Sequence, residues 1–296
     1  MDNPTAELET YRTLRLGMTA GGVLLGLALI GLVGLPGVTV PASVSATYYT
    51  PIQNIFVGTL ICVGLALVAV KARPGWENNL LDAAGVLIPI VALVPTPIVD
   101  ASCLPAGSDC VPLRLTQAVE LNISAYWWLG LIALGYLWIR RWRSGSSNPW
   151  GGSTTSGLGS LSALWIILTI AFLGFRPTFM QYAHYTSAIS FFVILVVVVW
   201  INGRSTSAEG AAVQKPARWY RAWYFSIAVA MVAFVVAGVA AFVITGRQNY
   251  VATAMAQPFP VIFWVEVVLL TLFVVYWALQ TVELWNHTVP PDSPAG

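Results

Sequence analysis

The chain has 296 residues, 57% of them hydrophobic and 9% charged, with a mean hydropathy of +0.76, whereas a soluble domain carries about 25% charged residues. That composition excludes water as the main solvent, because a bilayer core of about 30 Å is crossed by about 20 apolar residues in a helix and stretches of that length recur along the chain. The net charge of +2 comes without a basic tract that could track a phosphate backbone, so nucleic acid is excluded as a partner.

In chain order, MDNPTAELETYRTLRLG holds three carboxylates ahead of two arginines and lacks a small-residue cleavage pattern after the first apolar run, so that run reads as a retained helix. Eight apolar segments follow one another: Gly17–Leu35, Ile52–Val70, Leu81–Val99, Leu121–Ile139, Leu158–Phe175, Ala183–Ile201, Ala222–Thr245 and Phe259–Gln280. The expectation is an all-α fold: one integral membrane domain over residues 1–296, a polytopic bundle of about eight spans. The third segment carries Pro89, Pro95 and Pro97, which remove backbone donors and place it centrally, where neighbours can satisfy the freed carbonyls. VPLRLTQAVE, Val111 to Glu120, is too short to span and is expected along the surface.

Flanking charge sets orientation. With a cytoplasmic N-terminus, the inside holds Arg12, Arg15, Lys71, Arg73, Arg140, Arg141, Arg143, Arg204, Lys215, Arg218 and Arg221, eleven in all, against Arg114, Arg176 and Arg247 outside. An even helix number returns the C-terminus to the cytoplasm, as expected of a multipass protein of the cell membrane. Cys103 and Cys110 then lie in an outside loop, ASCLPAGSDC, where a disulfide can persist; two unpaired thiols are the alternative. Cys62, inside the second span, is expected to be a packed, inert thiol. The Gly/Ser-rich stretches RSGSSNPWGGSTTSGLGS and NGRSTSAEGAAVQKPARWYR read as linkers.

Several chemistries find no footing. The two histidines, His184 and His287, fall at opposite ends of spans, and neither a closed zinc site nor a pair of haem ligands can be assembled from them. Both lysines sit at span ends, and no GxSxG, Walker A or GxGxxG occurs. No catalytic residue, metal or cofactor is therefore assigned.

Three features remain. In YYTPIQNIFVG, Tyr48 and Tyr49 suit the aromatic belt, Thr50 an N-cap and Pro51 a first helical turn. Gln53 and Asn54 point about 100° apart, so at least one faces other helices, as glue or as part of a site. Grouped with Arg176, Tyr182, His184 and Tyr185, they could form a polar pocket at the outer level that takes a lipid headgroup, its arginine receiving phosphate or carboxylate; the alternative is that these residues only knit loop to helix. Glu266 lies inside the last segment and must face the bundle, as a hydrogen-bonded structural acid or as a coupling acid of a transporter; Gln280 shares its face. Asp82 reads as an N-terminal carboxylate of the third helix. Membrane lipids are the expected partners, and GMTAGGVLLG offers a small-residue seam through Gly17, Gly21 and Gly22 for a second copy or for a protein partner, the chain then being an accessory subunit of a membrane complex. Tyr49-Thr50 with Phe56-Val57, and Tyr185-Thr186 with Phe192-Val193, form a faint parallel echo.

Around YYTPIQNIFVG, with ALVPTP in the next segment and AHYTSAISFF further on, the chain resembles a group of uncharacterised bacterial multipass proteins distantly similar to the DRAM/Sfk-like superfamily. The resemblance covers roughly Ser43 to Thr96 and His184 to Phe192. It implies about six helices, no established catalysis and a link to lipid and membrane trafficking, and it directs attention to Tyr48, Tyr49, Asn54, Phe56, Gly58, Pro95, Thr96, His184 and Ala188. Gln53 stands where such proteins tend to carry arginine, and eight spans exceed six.

Overall fold

A backbone surrounded by hydrocarbon must bond to itself, so long Leu-, Val- and Ala-rich runs become helices. The computed structural model describes residues 4–70, 76–103, 108–144, 155–205, 216–245 and 260–285. Among them are eight α-helices: α1 (Pro4–Val33), α2 (Gln53–Ala69), α3 (Trp76–Leu93), α4 (Leu113–Ser144), α5 (Thr155–Gly174), α6 (Arg176–Ser205), α7 (Ala217–Thr245) and α8 (Val261–Glu283). A 3-10 turn (Ser45–Tyr49) precedes α2, and two short strands, β1 (Ile98–Val99) and β2 (Asp109–Cys110), pair antiparallel. The middle of each Gly/Ser-rich linker, together with Lys71, Arg73, Lys215, Arg247 and His287, lies outside the described residues.

Six of these helices, all but α2 and α3, are long and apolar enough to cross a membrane. The expected eight thus resolve into six clear spans and two shorter helices. α2 has 17 residues and α3 has 18, so they reach about 26 to 27 Å at 1.5 Å per residue. α3 is less apolar because its first turns hold Glu77, Asn78, Asn79 and Asp82.

Neighbour relations close a ring in the order α1, α2, α3, α6, α7, α8 and back to α1. α4 and α5 stand outside it, α5 against α3 and α6, and α4 against α5 and α3. Indole and phenol donors zip this outer pair: Trp127 Nε1 donates to Thr169 Oγ1 (2.8 Å), Trp138 Nε1 to Ser162 Oγ (3.0 Å), and Tyr126 Oη reaches the Val86 carbonyl of α3 (2.8 Å). Inside the ring, Met18, Leu67, Leu195, Tyr224, Met231 and Trp277 are fully buried in one large cluster.

Lipid is as apolar as leucine, so close backbone approach and van der Waals contact hold such helices together. The tightest crossing joins α2 to α3 at Gly64 and Gly85. A Cβ on Gly64 would lie 2.8 Å from Pro89 Cγ and 2.9 Å from the Gly85 carbonyl. That carbonyl is the one Pro89 leaves without its i+4 donor, and Gly64 covers it. Gly21 likewise faces Thr59 and Val63 of α2, and Gly22 meets Val274 of α8. These two glycines of GMTAGGVLLG are thus used within the ring rather than in a lipid-facing seam, and only Gly17 has open space.

Five local expectations are corrected. The third helix stops at Leu93 instead of Val99, because Pro95 and Pro97 cannot continue it and the chain leaves as an extended segment into β1. Val111–Glu120 does not lie on the surface as a separate piece, since from Leu113 it is the start of α4. α2 begins at Gln53 with Ile52 as an N-cap lacking a side-chain bond, while Thr50 donates back to the Thr47 carbonyl. Asp82 lies beyond the first turn of α3, accepts from Asn78 Nδ2 (3.3 Å), and leaves Glu77 as the first-turn acid. Cys62 is exposed on the ring exterior rather than packed, and Cys103–Cys110 form the disulfide that closes the hairpin of β1 and β2.

Gly64→Ala is expected to lower stability by about 1–3 kcal/mol through overpacking, whereas Gly58→Ala, with nothing within 4 Å, should leave it unchanged. Thermal unfolding in a mild detergent decides it, and equal midpoints for both variants would refute the tight crossing.

Candidate functional site: a cavity at the hairpin end of the ring

The early end of α3 creates both a space and a polar debt. With Pro95 and Pro97 following, helical donors for the last carbonyls are missing, and the Val94 carbonyl is met instead by His184 Nδ1 of α6 (2.8 Å). A carbonyl only accepts, so Nδ1 carries the proton. Two residues on, the Thr96 carbonyl accepts from Tyr49 Oη (2.8 Å), and Thr96 Oγ1 donates to Tyr185 Oη (2.8 Å). The two tyrosines of the Tyr-Thr echo thus converge on one residue, Tyr49 from the 3-10 turn before α2 and Tyr185 from α6. Burial pushes the Tyr49 phenol above its usual pKa, which keeps it a donor.

Below and beside this seam lies a cavity of about 1150 Å³, slightly above the usual range of about 300–1,000 Å³ for small-molecule sites. Its walls come from the segment before and through the 3-10 turn, from Thr96 to Ile98, and from α6, α7 and α8. Phe192, Phe234, Phe242, Val265 and Leu269 make most of it apolar. Ile189 and Val239 line it too, yet are 43% and 38% exposed, so the cavity opens sideways between α6 and α7.

Glu266 of α8 lines the same space. Its Oε2 accepts from the Ser45 backbone N–H (3.1 Å) and its Oε1 from Ser45 Oγ (3.3 Å), so it holds the start of the 3-10 turn, whose first N–H has no partner within the turn.

The expected site residues divide. Tyr49, His184, Tyr185 and Glu266 line the cavity; Gln53, Asn54, Arg176 and Tyr182 do not. Tyr48 is buried behind it, edge-on to Tyr49 with ring centroids 5.5 Å apart. Gln53 is half-buried against Tyr48, and Asn54 is exposed. Arg176 pairs with Glu120 (3.7 Å) and covers the Phe172 ring, under the outer helix pair. Tyr182 is 44% exposed. One polar group at the hairpin end therefore has no shared centre with Gln53 and Asn54, and the arginine invoked for anions is elsewhere. Among the described residues no cluster of histidine, cysteine, aspartate or glutamate could hold a metal ion.

A second polar group went unread in the sequence. At the opposite end of the ring, the two N–H groups of Asn202 Nδ2 are shared among three acceptors, Glu77 Oε1 (2.9 Å), the Val198 carbonyl (3.0 Å) and Tyr276 Oη (3.1 Å). Gln280 Nε2 donates to the same Tyr276 hydroxyl (3.1 Å), and Tyr224 donates to the Glu283 carboxylate. Arg15, 4% exposed, lies over the Tyr11 ring. Five ring helices meet there. The available signal was periodicity: Tyr276 and Gln280 are one turn apart, and Asn202 ends an otherwise apolar run.

Comparison with protein-family models, with curated proteins and with solved structures returns no match.

Thr96→Val is expected to cost about 1 kcal/mol by deleting one hydrogen bond, while Asn54→Leu should stay within about 0.5 kcal/mol of the wild type. Detergent unfolding midpoints check the contrast, which a neutral Thr96→Val would remove.

Proposed function

We propose that the chain is a multipass protein of the cell membrane whose eight helices all cross, both termini being cytoplasmic, and that the hairpin-end cavity holds a lipid or other amphipathic molecule at the level of the outer leaflet. The charge bias and the disulfide-closed hairpin support this orientation. The observation that carries the binding reading is the cavity itself: apolar in depth, polar near one end, and open sideways between α6 and α7 where a molecule dissolved in the bilayer would enter. His184 and Glu266 hold backbone groups of the wall, a use that favours binding over proton-transfer chemistry. The resemblance to DRAM/Sfk-like proteins suits a ring of six helices with an added pair.

A secondary transporter is the second reading. It is favoured by a buried polar group at each end of one ring, with Glu266 as the coupling acid.

Ala188 lines the cavity, and Ala188→Trp would fill part of it. Native mass spectrometry from mild detergent should find a co-purified amphipath on the wild type and a retention reduced by about tenfold or more on the variant, a change of about 1.4 kcal/mol. Absence of any retained molecule, or equal retention by both at equal thermal stability, would end the reading. For the transporter, Glu266→Gln should abolish proton-linked flux in liposomes, and normal flux would remove Glu266 from the mechanism.

A further inference from the structure

Resting on the amphipath reading above, the charge of the cavity identifies the head of the molecule it takes. Glu266 lies five residues into α8, about 7.5 Å from its start at 1.5 Å per residue. The deeper lining, Phe192, Phe234 and Leu269, is apolar. A single-chain molecule inserted between α6 and α7 would thus place its tail along these side chains and its polar end at the carboxyl group.

Among the described residues no lysine or arginine lines the cavity. Arg176 is engaged with Glu120 beneath α5, and Arg114, whose charge reaches the Tyr49 phenol, is not among the lining residues. Glu266 meets two donors from Ser45, one on each oxygen, with the Val44 backbone N–H as a third, an arrangement suited to a carboxylate, which accepts at about four positions and donates at none. Three donors leave one acceptor position for a ligand in the cavity that Glu266 lines. A carboxylate held in a bundle interior calls for a cation, and a charge-assisted N–H···O bond is about twice as strong as a neutral one. A phosphate there would meet like charge and find no arginine fork.

We propose that the cavity is a binding site for an amphipathic amine, whose protonated nitrogen docks on Glu266 while its hydrocarbon tail lies between Phe192, Phe234 and Leu269. Anionic phosphate heads are disfavoured by the same carboxylate. The amine could belong to a membrane lipid or to a free alkylamine; the head chemistry is shared.

Three amphiphiles with one tail and different heads separate the possibilities: dodecylamine, dodecanol and dodecyl phosphate, titrated onto the full chain in phosphatidylcholine nanodiscs and read by saturable thermal shift. A second titration with phosphatidylethanolamine vesicles as competitor distinguishes a lipid source from a free amine. The wild type should bind the amine about tenfold or more tighter than either other head, and Glu266→Gln should bring the three within about threefold. Equal or tighter binding of dodecyl phosphate, or an amine preference kept by Glu266→Gln, would overturn the amine assignment. If that binding is lost in Ala188→Trp, the amphipath reading survives this failure. Saturable binding of none of the three would remove both. Should Glu266→Gln not fold, the wild-type head series alone decides.

Discussion

Hydrocarbon offers no hydrogen bonds, and the carbonyls released where α3 stops at Leu93 must therefore be answered from within the protein. Much of the hairpin end follows from that demand. His184 on α6 answers the Val94 carbonyl, Tyr49 beside α2 answers that of Thr96, and Thr96 in turn binds Tyr185. A helix that ran on to Val99 would have filled the space beside α6 and needed none of these partners. The proline pair thus shortens a helix, opens a cavity and selects the residues that seal it.

The same rule shapes the other end. There five helices bring polar side chains inward, and Asn202, Glu77, Tyr276 and Gln280 satisfy one another across the ring. Between the two ends lies a dry middle of Met18, Leu67, Leu195, Met231 and Trp277, buried almost completely. Polar groups thus lie at both ends of the ring with an apolar plug between them. α4 and α5 add an outer buttress through tryptophan and tyrosine donors, and the ring closes without them.

Much of this was legible in the residues. The helical class, the disulfide in ASCLPAGSDC and the proline-broken third helix could be read from composition and spacing, because each depends on local chemistry. Glu266 facing inward followed from the cost of a carboxylate in lipid. What could not be read was adjacency. Gln53 and Asn54 follow Tyr49 by four and five residues yet do not line the cavity, because Tyr49 belongs to the 3-10 turn and the starting angle of α2 depends on that turn. Arg176 opens the same helix that carries His184, but two turns of α6 separate them and Glu120 of α4 claims it. The two Tyr-Thr pairs carry the tyrosines that meet at Thr96, an adjacency that their positions in the sequence do not state. Gly21 and Gly22 suggested an outward seam because sequence alone cannot tell which side a small residue serves.

On the proposed reading, the early end of α3 leaves a ligand-sized chamber that opens to the bilayer beside α6 and α7 and is governed by Glu266. An experimental density map of the full chain in a lipid nanodisc would show it. Elongated non-protein density along Phe192 and Phe234, with its polar end within hydrogen-bonding distance of the Glu266 carboxyl group, is the expected result. A map in which α3 continues helically past Leu93, or in which α6 and α7 close on each other and leave no space beside Glu266, would contradict it.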